Sequence, residues 1–344
     1  MSALKNFRKA IDKKQDKYNI GFAPIPDWID SGNMALNTII SGDPRKGWPV
    51  GRVSMLSGLQ GTGKSFLVAN AVREAQKKGY FAVYLDTENA IDDGFMEGIG
   101  VDMSEDAFMP VSVFSVEEVT QFLADLFKNT EKDEKICLII DSLSNLEAEG
   151  DMQKFDDGKI AYGQGLKEKL YKQLMRNIST KIGHRDMICL ANSHMYVGGQ
   201  DHYGNQILKP SCGSATLYLP SVGVELSKKD LKEGKEQIGI TINAKTYKSR
   251  YTTLGRKCSF PLPFSTGMNP YDGLLPLLEE EGAVNRNGAW YNITNKKTGE
   301  EVKFQKKDME KYIDQILHIY AELKGEVEEA PESDANEDMI EEIQ

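Results

Sequence analysis

At 344 residues the chain is long enough for one large α/β domain with small appendages. Its formal net charge is −10, yet nine acids and no base fall within residues 326–344, so the remainder is nearly neutral and a nucleic-acid partner is not excluded. No run of 18 apolar residues is present, which excludes a helical membrane span, and the scattered Cys137, Cys189, Cys212 and Cys258 exclude the usual zinc spacings.

The first residues (MSALKNFRKAIDKKQDKY) are charged throughout, so no secretion signal is expected, and the free thiols fit a cytosol. Leu4, Phe7, Ala10 and Ile11 recur at helical spacing and form a narrow apolar stripe on a basic helix. Such a stripe docks either on its own domain or on another surface.

Residues 52–57 (RVSMLS) read as a buried strand and residues 66–75 (FLVANAVREA) as a helix. Between them GLQGTGKS matches the phosphate-loop pattern G-x-x-x-x-G-K-[ST] in full. The glycines let the backbone amides of Gly58, Leu59, Gln60, Gly61, Thr62 and Gly63 curl around an anion, and the helix N-terminus adds its positive end. Lys64 is expected to reach the β- and γ-phosphates, Ser65 to ligate Mg²⁺, and Phe66 to follow them in the nucleotide site. The expected ligand is a nucleoside triphosphate with its metal.

Residues 80–87 (YFAVYLDT), 135–142 (KICLIIDS) and 186–194 (DMICLANSH) read as three further buried strands. Helical stretches over 116–128 and 165–181 alternate with them, which predicts a parallel sheet covered on both faces. Ligands of such sheets sit at the carboxyl ends of the strands. There Asp141 is placed to hold Mg²⁺, directly or through water, or else to cap the next turn. Glu88 suits the polarisation of a water attacking the γ-phosphate, and His194 can sense that phosphate through a ring N–H or be an ordinary polar residue.

Two Gly-rich polar stretches, 147–165 and 195–214, read as loops after these strands, compatible with a lid over nucleotide as well as with a second ligand. Lys248 and Arg250 follow a strand-like run (ITINAKTY), where a solvated edge is the default. Met309, Tyr312, Ile313, Ile316, Leu317, Tyr320 and Leu323 mark a helix that packs a small C-terminal subdomain. The acidic tail is too polar to pack and is expected to be disordered, serving solubility or competing with nucleic acid for a basic surface.

In their order these motifs resemble the RecA family of recombinases, most closely its branch from T-even-type bacteriophages, over residues 31–290. The segments that carry the resemblance are SGNMALNTIISGDPRKGWPVGRV before the phosphate loop, YLDTENAIDDGFMEGIGV after it, Asp141–Ser142, Asn192–His194, Lys248–Arg250 and NPYDGLL at 269–275. The resemblance implies that Glu88 is the catalytic base and that Asp92 and Phe95 frame adenine. It implies that Lys248 and Arg250 cross a subunit interface to the neighbour's γ-phosphate, as arginine fingers do. The N-terminal helix would dock on the adjacent subunit of a filament. The two loops would be DNA-binding loops, with Tyr162, Tyr196 and Tyr203 stacking on bases. Phosphates would be gripped at Gly163, Gly165, Gly198, Gly199, Gly213 and Ser214, with Arg176 on the following helix. One departure is Cys212–Gly213, where many members have paired glycines.

The resulting expectation is an α/β fold with a RecA-type P-loop NTPase core, a mostly parallel sheet flanked by helices. Its parts are an N-terminal polymerisation segment (1–30), the core (31–270), a small C-terminal subdomain (271–325) and the acidic tail (326–344). The implied activity is DNA-stimulated ATP hydrolysis by filaments that drive strand exchange. ATP and Mg²⁺ are the cofactors; the partners are single- and double-stranded DNA, further copies of the chain, a single-strand-binding protein and a recombination mediator, in the cytoplasm of a host cell if phage-encoded. A hexameric RecA-fold helicase, or a P-loop ATPase with no nucleic-acid role, are the alternatives.

Overall fold

The computed structural model describes residues 3–12, 25–159, 164–200, 202, 204, 206–213 and 215–328. Tyr162, Gly163, Tyr203, Ser214 and the acidic stretch from residue 329 lie outside these. Helix α1 (Ala3–Asp12) carries Leu4 and Phe7 exposed. Strands β1 (Trp28–Ile29) and β2 (Trp48–Pro49) pair around helix α2 (Met34–Ser41). Asn33 caps α2 by accepting the Leu36 N–H at 2.9 Å, and Gly42, at φ 88°, ends it.

Strand and helix then alternate through β3 (Val53–Gly58), α3 (Lys64–Lys77), β4 (Phe81–Asp86), α4 (Asp93–Ile99), β5 (Phe108–Ser112), α5 (Val116–Asn129) and β6 (Ile136–Asp141). After α6 (Glu149–Asp156) and α7 (Gln164–Ile182) come β7 (Met187–Gln200), β8 (Gln206–Pro210) and the short α8 (Ala215–Tyr218). The hairpin β9 (Val222–Glu233) and β10 (Glu236–Ser249) and strand β11 (Lys257–Pro263) complete the main sheet. Its order is β11-β10-β9-β3-β7-β6-β4-β5; the run from β9 to β5 is parallel, β10 and β11 are antiparallel additions, and β8 pairs with the outer half of β7.

The alternation of side chains divides the core. Leu56, Tyr84, Ile139 and Leu190 face α2 and α3, whereas Met55, Leu85, Leu138 and Cys189 face α5 and α7. Each of these strands is therefore apolar on both faces, and each buried aliphatic side chain contributes ~1.5–3 kcal/mol. A capping box between Ser115 and Glu118 starts α5 and fixes its angle of entry. Beyond the sheet, α9 (Leu274–Glu280), the three-stranded β12 (Val284–Asn287), β13 (Trp290–Thr294) and β14 (Glu301–Gln305), and α10 (Met309–Glu328) enclose a third core around Ile293, Phe304 and Ile316.

Three expectations are corrected. The second stretch read as a loop is largely a two-stranded arm, because β7 runs past His194 to Gln200 and β8 returns along it, Tyr196 opposite Lys209 and Val197 opposite Leu208. The first such stretch contains α6. Helix α10 continues through the first residues assigned to the acidic tail.

The turn from β3 into α3 depends on glycine. Gly63 has φ 90°, and a Cβ there would lie 2.8 Å from Ile242 Cδ1 of β10. Gly63→Ala is expected to destabilise the protein by ~2 kcal/mol through backbone strain and overpacking. An unchanged denaturant midpoint would contradict this.

Candidate nucleotide site and its adjoining arm

The loop Gly58–Ser65 wraps the carboxyl end of β3. Leu59, Gln60 and Gly61 are exposed, Ser65 and Phe66 are half-buried, and Thr62 is tied back by its hydroxyl donating to Leu59 O at 2.9 Å. Lys64 is only 6% exposed, and its ammonium donates to Gly58 O (3.1 Å) and Leu59 O (3.0 Å). Burial lowers its pKa, opposed by the charges of Asp141 and Glu88. A desolvated ammonium at the mouth of an amide nest is a ready counter-charge for phosphate.

Asp141 ends β6, 5% exposed, and the peptide between it and Ser142 is cis. Its two carboxylate oxygens accept from Tyr84 Oη and Asn192 Nδ2, each at 2.7 Å. Glu88 stands two residues beyond the end of β4, in a turn where Asp86 Oδ1 accepts the amides of Glu88 and Asn89 at 2.9 Å. A buried latch joins the two strand ends. Thr87 Oγ1 donates to Ser142 O (2.8 Å) and accepts the Ser142 N–H (2.9 Å).

Ser142 Oγ donates to Glu88 Oε1 at 2.8 Å, and His194 Nε2 lies 2.7 Å from the same oxygen. Burial works against the charged carboxylate, but these two bonds and the nearby charge of Lys64 outweigh it and hold the Glu88 carboxyl below its usual range. Glu88 is thus ionised throughout the neutral range, as a proton acceptor must be. Its interactions stabilise the fold above the unfolded-state pKa, and that contribution is lost as pH falls through the lowered folded-state value.

His194 sits where β7 leaves the core, in register with Gly58 of β3. Its N–H donates to Ser144 Oγ at 2.7 Å, and its carbonyl accepts from the Ser211 amide and hydroxyl at 3.0 Å. The base of the arm is thereby fastened to the strand that carries His194. Two residues further along β7, Tyr196 is half exposed and Gly198 and Gly199 follow on the solvent side. Gly213, at φ 72°, abuts Glu168 of α7, while Gly165 lies in the first turn of that helix and Arg176 is exposed along it.

Asp92 caps α4 by accepting the Phe95 N–H at 2.8 Å, and Phe95 is 38% exposed. Lys248 and Arg250 do not join the phosphate loop of their own chain. Lys248 pairs with Gly223, which is level with Met55 near the start of β3, whereas the loop leaves the other end. Lys248 donates to Tyr218 O, and burial together with Arg250 lowers its pKa. Sequence reasoning gave no role to Tyr84, Thr87 or Ser144, nor to Lys228, whose ammonium would lie 2.7 Å from a Cβ placed on Gly61. The signal for Tyr84 is a single phenol in an otherwise apolar strand core.

The site fits a hydrated Mg²⁺. Ser65 and Asp141 are hard oxygen donors, and beside Asp141 the buried Asn192 Oδ1 has no partner among the described residues, leaving an acceptor suited to water. Ser65 and Asp141 would hold the ion, which neutralises charge on the phosphates when bound.

A phosphate loop opening α3, an acid at the end of β6 and a glutamate just past the end of β4 define a P-loop nucleotide-binding α/β protein. The chain belongs to the RecA family: the profile of the RecA N-terminal domain matches residues 11–269. It is 30% identical to Protein RecA of Acholeplasma laidlawii over 277 residues, covering 79% of each chain. With Protein RecA of Parasynechococcus marenigrum the identity is 30%, over 79% of this chain and 69% of the relative. With that of Lactobacillus johnsonii it is 25%, over 96% and 87%.

If Glu88 accepts the proton of the attacking water, Glu88→Gln is expected to retain ATP binding while turnover falls at least ~100-fold. Turnover within a few-fold of the parent would remove Glu88 from this role. Lys64→Ala is expected to abolish nucleotide binding measured at equilibrium.

Proposed function

We propose that this chain is a DNA-dependent ATPase that polymerises on single-stranded DNA and drives homologous pairing and strand exchange. One observation carries the reading. A single strand, β7, holds His194 against Glu88 and then continues without a break into the exposed arm of Tyr196, Gly198 and Gly199. Nucleotide chemistry and the surface assigned to DNA are thus two ends of one element. Membership of the RecA family supports the same reading.

In this scheme ATP and Mg²⁺ occupy the site around Lys64, Ser65 and Asp141. Asp92 and Phe95 frame the adenine, and Glu88 takes the proton of the attacking water. Lys248 and Arg250 act on the neighbour's γ-phosphate, which agrees with their distance from their own loop. ATP fastens subunits, orders the arms and raises DNA affinity; hydrolysis loosens the interface. Residues 1–30 serve polymerisation, 31–270 form the ATPase core, 271–325 the small subdomain and 326–344 the acidic tail. Tyr162, Gly163, Gly165, Arg176, Tyr203, Gly213 and Ser214 complete the DNA surface. A single-strand-binding protein and a mediator are the expected co-workers, in a cytoplasm. Assignment to the phage, UvsX-like branch rests on the segments at 192–194, 248–250 and 269–275 alone; the relatives described above are bacterial.

Electron microscopy with ATP and single-stranded DNA tests the scheme. Filaments are expected for the parent chain, with turnover lost in Lys248→Ala/Arg250→Ala but regained when that variant is mixed with Glu88→Gln, because each supplies what the other lacks across an interface. Closed rings without filaments, or no recovery on mixing, would contradict it.

A further inference from the structure

The acid expected to face the metal is clasped on both sides by neutral donors, and neither is accounted for by the reading above. Tyr84, Asp141 and Asn192 come from adjacent strands, β4, β6 and β7. All three fall on the face of the sheet that packs against α3, the helix opened by the phosphate loop: they continue the alternation of Ala82, Ile139 and Leu190 on that face. Tyr84 is 2% exposed, with its ring tilted against Phe108 at 6.1 Å. Its hydroxyl reaches Asp141 Oδ2 at 2.7 Å, and Asn192, fully buried, reaches Oδ1 at 2.7 Å.

The directions of these bonds are fixed. An ionised carboxylate accepts only, so the phenol must donate. Burial, with the Asp141 charge beside it, keeps that phenol protonated far beyond neutrality. The Asn192 amide has one allowed orientation, because turning it about would set Oδ1 against the carboxylate. In the allowed orientation Oδ1 is buried without a partner among the described residues. Burying a phenol and an amide is unfavourable unless each has a hydrogen-bond partner, and here both are directed at one carboxylate. With a donor on each oxygen, the carboxylate can neither rotate about its Cβ–Cγ bond nor swing to another rotamer without breaking a buried bond.

We propose that Tyr84 is a positioning residue for the metal site: with Asn192 it locks the plane of the Asp141 carboxylate in the orientation that receives the nucleotide-bound Mg²⁺. The proposal rests on the assignment of Asp141 to the metal. Partners of this kind set both the geometry and the affinity of a metal ligand, and their loss typically costs ~10- to 100-fold in metal affinity.

Tyr84→Phe is the test, because it removes one oxygen and keeps the ring. Binding of a fluorescent ATP analogue is followed at equilibrium, first without divalent ions and then across a Mg²⁺ titration, for the parent, Tyr84→Phe and Asn192→Ala. Thermal unfolding without nucleotide verifies that each variant is folded. The expected result for Tyr84→Phe is a metal-free affinity within about twofold of the parent and a half-saturating Mg²⁺ concentration raised ~10-fold. Asn192→Ala should move the same quantity in the same direction, and the two changes should combine non-additively because they act on one carboxylate. A Tyr84→Phe titration that superimposes on the parent, or that shifts to lower Mg²⁺, overturns the proposal. So does an equal loss of affinity with and without Mg²⁺, which would make Tyr84 a packing residue of the nucleotide site. A parent chain whose nucleotide binding ignores Mg²⁺ would instead remove the metal assignment of Asp141, and the proposal with it.

Discussion

The rest of the site is organised around a buried positive charge. Lys64 is 6% exposed, and its ammonium rests on two loop carbonyls at the carboxyl end of β3. Removing such a charge from water is costly unless opposite charge is close. Asp141 and Glu88, at the ends of the two strands beyond β7, provide it. Both carboxylates are in turn held by hydrogen bonds, with Tyr84 and Asn192 on one and with Ser142 and a ring nitrogen of His194 on the other. The Thr87–Ser142 latch keeps the two strand ends at a fixed spacing. Lys64 and the two carboxylates are therefore held in place by their own partners before any ligand arrives.

The sheet order turns that local constraint into a connection across the molecule. Because β7 lies between β3 and β6, the residue that leaves the sheet beside Gly58 also faces the end of β6. His194 occupies that place, and the arm begins immediately after it. Ser211, at the returning base of the arm, binds the His194 carbonyl with both its amide and its hydroxyl, while Cys212 lies in the core within 3.4 Å of Ser144 Oγ. Any displacement of the arm's base must be felt at His194 and hence at Glu88. The hairpin of β9 and β10 does the opposite for Lys248 and Arg250, taking them to the far end of the sheet.

Much of this was legible in the sequence because its cause is local. The phosphate loop is a contiguous pattern, and the apolar runs at 80–87 and 135–142 become β4 and β6 trimmed by one residue at each end. The helical stretches at 116–128 and 165–181 extend by a single residue, or one at each end, as α5 and α7. What stayed hidden is set by register between distant strands. Tyr84 and Asn192 meet Asp141 only because three parallel strands align on one face, which no spacing along the chain reveals. The arm read as a loop because Gly198, Gly199 and its polar residues mask a weak alternation that pairing with β8 makes into a strand. The place of Lys248 follows from the length of a hairpin, equally invisible before the register is known.

The central claim is that one strand couples ATP hydrolysis at Glu88 to DNA held on the arm. Steady-state ATP turnover by the purified chain, with and without single-stranded DNA at low and moderate salt, tests it most directly. The account predicts strong stimulation by DNA that weakens as salt rises, since phosphate contacts release counterions. Turnover that is the same with and without DNA would contradict the coupling and leave only a nucleotide site.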